Sequence, residues 1–230
     1  MPRALRVLVS GGIYHVTVRG NNRQPIFTDT VDYQRYLAEA RRCFSEYPSS
    51  ILAYALMPNH VHLVLQDHRG LLSRSMQVLN ARYTRSFNQR HQRVGHLYQG
   101  RFYARLVDQD SYLLEVTRYV HLNPVRAQLV DQPERYPWSS YRSYVGLEKL
   151  TQGFVQPQFI WELMGGDGIR SQVRYRQFVE DLAPQRLPAW ERRLRRLKLI
   201  GSARLAHEMA IPIKCQTPNP ISSAREVSDT

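Results

Sequence analysis

The chain has 230 residues, with 32 Lys or Arg against 19 Asp or Glu and a formal net charge of +13. A hydrophobic fraction of 43% suffices for a packed core, and no apolar run approaches the ~18 residues of a membrane helix. Two cysteines, Cys43 and Cys215, make neither a disulfide framework nor a metal-binding spacing.

The basic residues are almost all Arg; only Lys149, Lys198 and Lys214 are Lys. Arg offers a planar fork to phosphate and stacks on bases. A polyanionic partner is therefore the leading expectation, nucleic acid first, against a merely well-solvated basic surface. The start, MPRALRVLVSGGIYHV, is interrupted too soon by Gly11 and Gly12 for a secretory signal. The expectation is a cytoplasmic, nucleoid-associated protein.

GIYHVTVRG alternates, with Tyr14, Val16 and Val18 on one side and His15, Thr17 and Arg19 on the other. That is a half-buried strand. Gly20-Asn21-Asn22 ends it in a turn. Thr28 or Asp29 can cap a helix over about 31–47, with Leu37, Ala40 and Phe44 at helical spacing. ILAYALM and HVHLVLQ are strands joined by a tight turn at Pro58-Asn59. A helix over about 71–89 carries Leu72, Met76, Leu79 and Tyr83 as its stripe. HLYQGRFYARLV, residues 96–107, reads as the fourth strand. A further helix begins at Asp110 or Ser111 and stops near Pro124.

The order β-α-β-β-α-β predicts an α+β, ferredoxin-like (RRM-like) fold: a four-stranded antiparallel sheet with helices on one face. The other face is expected to stay free, as such faces do when they bind single strands. The texture changes after about residue 148. This divides the chain into a domain over 1–148 and a basic, mainly helical C-terminal extension over 149–230. In the extension RYRQFVEDL and WERRLRRLKLIGSARLAHEMA read as helical, and the tail as frayed.

His60 and His62 share one strand face, and Val61, Leu63 and Leu65 share the other. Two parallel imidazoles can bind a divalent metal. Spacing alone leaves ligation and packing open, and two ligands leave a metal under-coordinated. Tyr119 and Asn123, four residues apart on the last predicted helix, face the same way. Asn123 offers a carbonyl oxygen to a hard cation such as Mg²⁺ or Mn²⁺. Tyr119 offers a phenol that can attack phosphorus once deprotonated. A buried ring and a helix terminator are the bland alternatives. Two residues beyond Tyr119, His121 lies about 200° around the helix and falls outside this group.

YHVTVRGNNRQPIF, YALMPNHVHLVL, GHLYQGRFYARLV and RYVHLNPVRA, in this order over about residues 10–145, resemble the REP-associated tyrosine transposases. These are single-tyrosine HUH transposases of the bacterial insertion-sequence type. The resemblance implies His60 and His62 as the metal-binding pair, Tyr119 as the catalytic nucleophile and Asn123 as a third metal ligand. It implies a divalent cation, cleavage and rejoining of single-stranded DNA through a 5′-phosphotyrosine, and hairpin substrates. It places the loop holding Arg19, Asn21, Asn22 and Arg23 near the DNA path. It leaves open a monomer or a homodimer.

Arg82, Arg85, Arg101 and Arg105, interleaved with Tyr83, Phe87, Phe102 and Tyr103, suit a phosphate-and-stacking surface. A non-catalytic nucleic-acid-binding protein of the same fold is the alternative, and it has no use for a converging His-His-Tyr set. A metal-dependent hydrolase would need more carboxylates than Asp67 near the pair.

Overall fold

The alternation in GIYHVTVR is realised as β1 (Gly12–Arg19), with Tyr14, Val16 and Val18 buried and Arg19 exposed. The structure is a computed structural model that describes residues 8–107, 110–148, 154–166 and 168–181. After β1 come α1 (Thr30–Glu46), β2 (Ser49–Met57), β3 (His60–Asp67), α2 (Leu72–Arg90), β4 (Tyr103–Val107) and α3 (Asp110–Arg126). Three further helices follow: α4 (Tyr141–Tyr144), α5 (Gln158–Leu163) and α6 (Gly168–Glu180). All four strands pair antiparallel in the order β2-β3-β1-β4, so the predicted ferredoxin-like sheet is borne out.

Each element has a local cause. Asp29 caps α1, its carboxylate accepting from the Val31 and Asp32 amides. Such a cap contributes about 1 kcal/mol. Asp67, at the end of β3, accepts from the Leu71 and Leu72 amides and so fixes the start of α2. Asp67 shares its strand face with Val61, Leu63 and Leu65, so α2 lies on that face. There α1 packs beside α2, and the sheet buries Val16, Val18, Val61, Leu63 and Leu65 at 2% exposure or less. Each such side chain contributes roughly 1.5–3 kcal/mol.

The expectation of a free histidine face does not hold. Helix α3 packs on β2 and β3, and His15 and His62 are only 8% and 4% exposed. The reason lies in α3 itself. Leu113, Val116, Thr117, Val120 and His121 are all buried, a stripe too wide to leave uncovered, and it closes over the sheet.

Two boundaries also differ. The fourth strand is confined to 103–107. Residues 97–99 do continue along the end of β1, through Asn21 N–H to Leu97 O and Gln99 N–H to Arg19 O, but the chain bends at 99–101, around Gly100, and the ladder is interrupted. Helix α3 runs through Pro124 to Arg126. Pro124 removes one N–H, but Ala127 N–H still reaches Asn123 O and Leu129 N–H reaches Pro124 O.

The edge of β2 is covered by later chain. Ser140 N–H donates to Tyr54 O, Leu56 N–H to Trp138 O and Gln156 N–H to Ile51 O. Val155, Ile160, Tyr175 and Val179 join the same core, so the change in texture near residue 148 does not interrupt packing. The predicted helix in RYRQFVEDL is α6; the basic helical stretch beginning at Trp190 lies outside the described residues.

Candidate active site

Register brings the histidines together. Thr17 lies opposite His62 and Arg19 opposite His60 in the β1–β3 pairing. Directly opposed residues share a sheet face, so His15, Thr17, Arg19, His60 and His62 line one surface. The His60 and His62 rings lie 4.9 Å apart and edge-on. Helix α3 seats Tyr119 over them, its ring 5.5 Å from that of His62 and 5.8 Å from that of His15. The Arg126 guanidinium stands 5.4 Å above the Tyr119 ring.

Each imidazole of the pair is held by one nitrogen. His60 Nδ1 lies 2.7 Å from Asn59 Oδ1. His62 Nδ1 lies 3.0 Å from His15 Nε2 and 3.4 Å from Thr17 Oγ1. Neither Nε2 has a hydrogen-bond partner among the described residues. Burial, aided by the nearby Arg19 charge, lowers the His60 pKa to about 4. Burial holds His62 well below its ordinary value, with His15, His60 and Arg19 adding to the effect. Burial, then the Arg105 charge, lowers His15 to about 4. All three rings are uncharged near neutral pH.

Asn123 lies one turn beyond Tyr119. Its side-chain amide donates to the Tyr119 carbonyl at 2.9 Å, which leaves Oδ1 as an acceptor. No group of three or more His, Cys, Asp or Glu among the described residues could hold a metal. The donor set is therefore two neutral imidazole nitrogens plus, at most, a carboxamide oxygen. Such a set fits a divalent cation that completes its shell with phosphate oxygens and water.

The loop after β1 is tied to the pair through Asn59. Its side-chain amide donates to Arg23 O at 3.0 Å, and its backbone carbonyl accepts from Gly20 N–H at 2.8 Å. Asn22 and Arg23 both adopt the left-handed conformation, φ 50° and 59°. For Arg23 this costs about 1–2 kcal/mol, and the Asn59 bond holds it there. Gly20 is needed because a Cβ would stand 2.2 Å from Gln24 O.

The predicted basic residues separate into two sets. Arg19 beside His60 and Arg105 opposite His15 flank the site. Arg105 also stacks on Tyr103, which is 38% exposed on the edge strand. Asn21, Asn22 and Arg23 border the site, and Arg101 is exposed just before β4. Arg82 and Arg85 are on α2, across the sheet from the histidines, where Arg82 pairs with Glu46 of α1 at 2.9 Å. His121, set aside in the sequence, is fully buried away from the pair, between Tyr175 and Ser140. The residues sequence reading passed over are His15 and Asn59. Strand alternation had already placed His15 on the histidine face.

The family model described as "Transposase IS200 like" matches residues 8–123, just over half of the chain. A Haemophilus influenzae protein, named as a REP-associated tyrosine transposase, is 25% identical over 155 residues, covering 62% of this chain and 87% of its own. A solved structure of a REP-associated tyrosine transposase bound to a REP hairpin is similar with a TM-score of 0.55. It is 19% identical and covers 74% of this chain and 93% of that one. At that identity the likeness shows the fold.

Proposed function

The chain belongs to the IS200-like transposase family, and from that premise we propose that it cleaves and rejoins single-stranded DNA through a covalent bond to Tyr119. The observation that carries this reading is the seating of the Tyr119 ring edge-on to His62 and His15, beside the His60–His62 pair. A packing tyrosine needs no such neighbours. The preferred substrate in this reading is a hairpin of the REP type, as held by the similar solved structure, and the chain is a REP-associated tyrosine transposase within the family.

His60 Nε2 and His62 Nε2 would hold a divalent cation, Mg²⁺ or Mn²⁺, with Asn123 Oδ1 as the third protein donor. When bound, the cation supplies positive charge to the non-bridging oxygens of the scissile phosphate. The rest is done by the chain. Arg126 packs over the Tyr119 ring and orients it, and the Tyr119 phenol gives up its proton to solvent. The phenolate oxygen attacks phosphorus, the P–O3′ bond breaks, and the departing 3′-oxygen takes up a proton through solvent. The products are a 5′-phosphotyrosine and a free 3′-hydroxyl, and the reverse step rejoins an end.

The strand reaches the site at the Arg19–His60 end and along edge strand β4, where Tyr103 can stack a base and Arg105 can meet a phosphate. Arg101, Asn21, Asn22 and Arg23 continue that path. Arg82 and Arg85 could contribute only to a second, distant contact. The reading takes a monomer or a homodimer as the working form. In this reading residues 1–148 carry the chemistry, the described part of the extension over 149–230 braces them through Val155, Ile160, Tyr175 and Val179, and the work is done on DNA in the cytoplasm, at the nucleoid. No helix among the described residues is long and apolar enough to cross a membrane.

The test uses a 3′-labelled hairpin oligonucleotide with Mn²⁺, resolved on a denaturing gel. The wild type should give a labelled protein–DNA adduct. Tyr119→Phe should bind the hairpin and give none. Cleavage without an adduct would contradict the reading in favour of hydrolysis.

A further inference from the structure

His15 takes no part in the chemistry above, yet it is sealed into the site. It is 8% exposed. Its Nε2 lies 3.0 Å from His62 Nδ1, and the two rings stack at 5.2 Å with 21° between their planes. Two neutral imidazoles joined by one hydrogen bond must divide the roles of donor and acceptor. In one arrangement His62 Nδ1–H donates to His15, and His62 Nε2 carries a lone pair. In the other His15 donates, and His62 Nε2 carries the proton and cannot bind a cation.

The neighbouring histidine shows how the site settles such a choice. Asn59 donates its side-chain N–H to Arg23 O, which turns its oxygen toward His60 Nδ1 at 2.7 Å. A carbonyl oxygen only accepts, so His60 is fixed with its proton on Nδ1 and its lone pair on Nε2. Thr17 Oγ1, 3.4 Å from His62 Nδ1, can donate or accept and settles nothing for His62. His15 is the group left to do it.

We propose that His15 is a positioning residue that accepts from His62 Nδ1–H, so that both imidazoles of the pair present Nε2 lone pairs toward one point. The proposal rests on the reading of His60 and His62 as ligands. Partners of this kind are worth about tenfold to a hundredfold in metal affinity. His15→Leu keeps the bulk and removes the acceptor. His15→Gln restores an acceptor oxygen near the position of Nε2.

The experiment has two readouts on the DNA-free protein. Long-range ¹H–¹⁵N spectra of histidine-labelled wild type, with His62 assigned from its loss in His62→Ala, should show a protonated Nδ1 and an unprotonated Nε2. A protonated Nε2 on His62 overturns the proposal, and this readout needs no variant at position 15. Titration with Mn²⁺ alone should then show affinity about tenfold or more weaker in His15→Leu and largely recovered in His15→Gln. Unchanged affinity in His15→Leu, with affinity lost in His62→Ala, overturns the role of His15 and leaves the ligand reading intact. Unchanged affinity in His62→Ala overturns the ligand reading itself.

Discussion

His121 joins helix α3 to the later chain, and protonation should undo that joint. Its ring is fully buried, with Nδ1 2.7 Å from the Tyr175 hydroxyl and Nε2 2.7 Å from Ser140 Oγ. Burial pushes its pKa down to about 3 from an ordinary 6.5. Between those values the unfolded chain binds the proton and the folded chain does not. The stabilisation is therefore complete above pH 6.5 and is lost as pH falls toward the folded value. From pH 7 to pH 5 this single group should cost about 2 kcal/mol. His121→Gln keeps hydrogen-bonding capacity and cannot charge. At pH 7 it should be less stable by about 1–3 kcal/mol, through imperfect replacement of two buried bonds. Urea unfolding at both pH values measures the comparison. Wild type should lose about 2 kcal/mol more than His121→Gln between pH 7 and 5. His15, His60 and His62 are also held neutral by burial, but they add equally to both proteins and cancel in the difference. Equal losses in the two proteins would refute the assignment of a neutral, buried His121.

Three further outcomes are expected. Gly20→Ala should destabilise by about 1–3 kcal/mol in urea unfolding, because its Cβ would stand 2.2 Å from Gln24 O and 2.9 Å from Ile26 Cγ2; a neutral result would mean the loop relaxes freely. Arg105→Ala should weaken single-strand binding and reduce the slope of log affinity on log salt by about 0.7. Arg85→Ala, across the sheet from the histidines, should leave cleavage unchanged, and a larger effect from Arg85 would move the DNA path.

Much of this was legible because alternation is local. His60 and His62 against Val61 and Leu63, or His15 and Thr17 against Val16 and Val18, assign faces without any knowledge of the partner strand. Spacing on one helix likewise pairs Tyr119 with Asn123. What covers a face is not local. Nothing in GIYHVTVR says that α3 closes over His15, because that follows from a wide stripe a hundred residues later. The His15–His62 bond depends on the register of β1 on β3, which puts Thr17 opposite His62. Two strands forty-five residues apart fix it, and neither period shows it. Arg82 and Arg85 looked like part of one basic surface because, like Arg101 and Arg105, they are interleaved with aromatic residues, but the aromatics beside them, Tyr83 and Phe87, are buried core. Helix α2 turns them to the other side of the sheet. The bonds of Asn59 were hidden in what read as a plain turn.

In the proposed reaction Tyr119 itself becomes bonded to DNA. Trypsin acting after Arg118 and Arg126 would release residues 119–126, YVHLNPVR, as one peptide. After reaction with a hairpin and Mn²⁺, nuclease trimming and mass spectrometry should find a nucleotide phosphate on this peptide, with fragment ions placing it on Tyr119. The same modification on another tyrosine, such as Tyr112 or Tyr103, or cleaved DNA with no modified peptide, would contradict it.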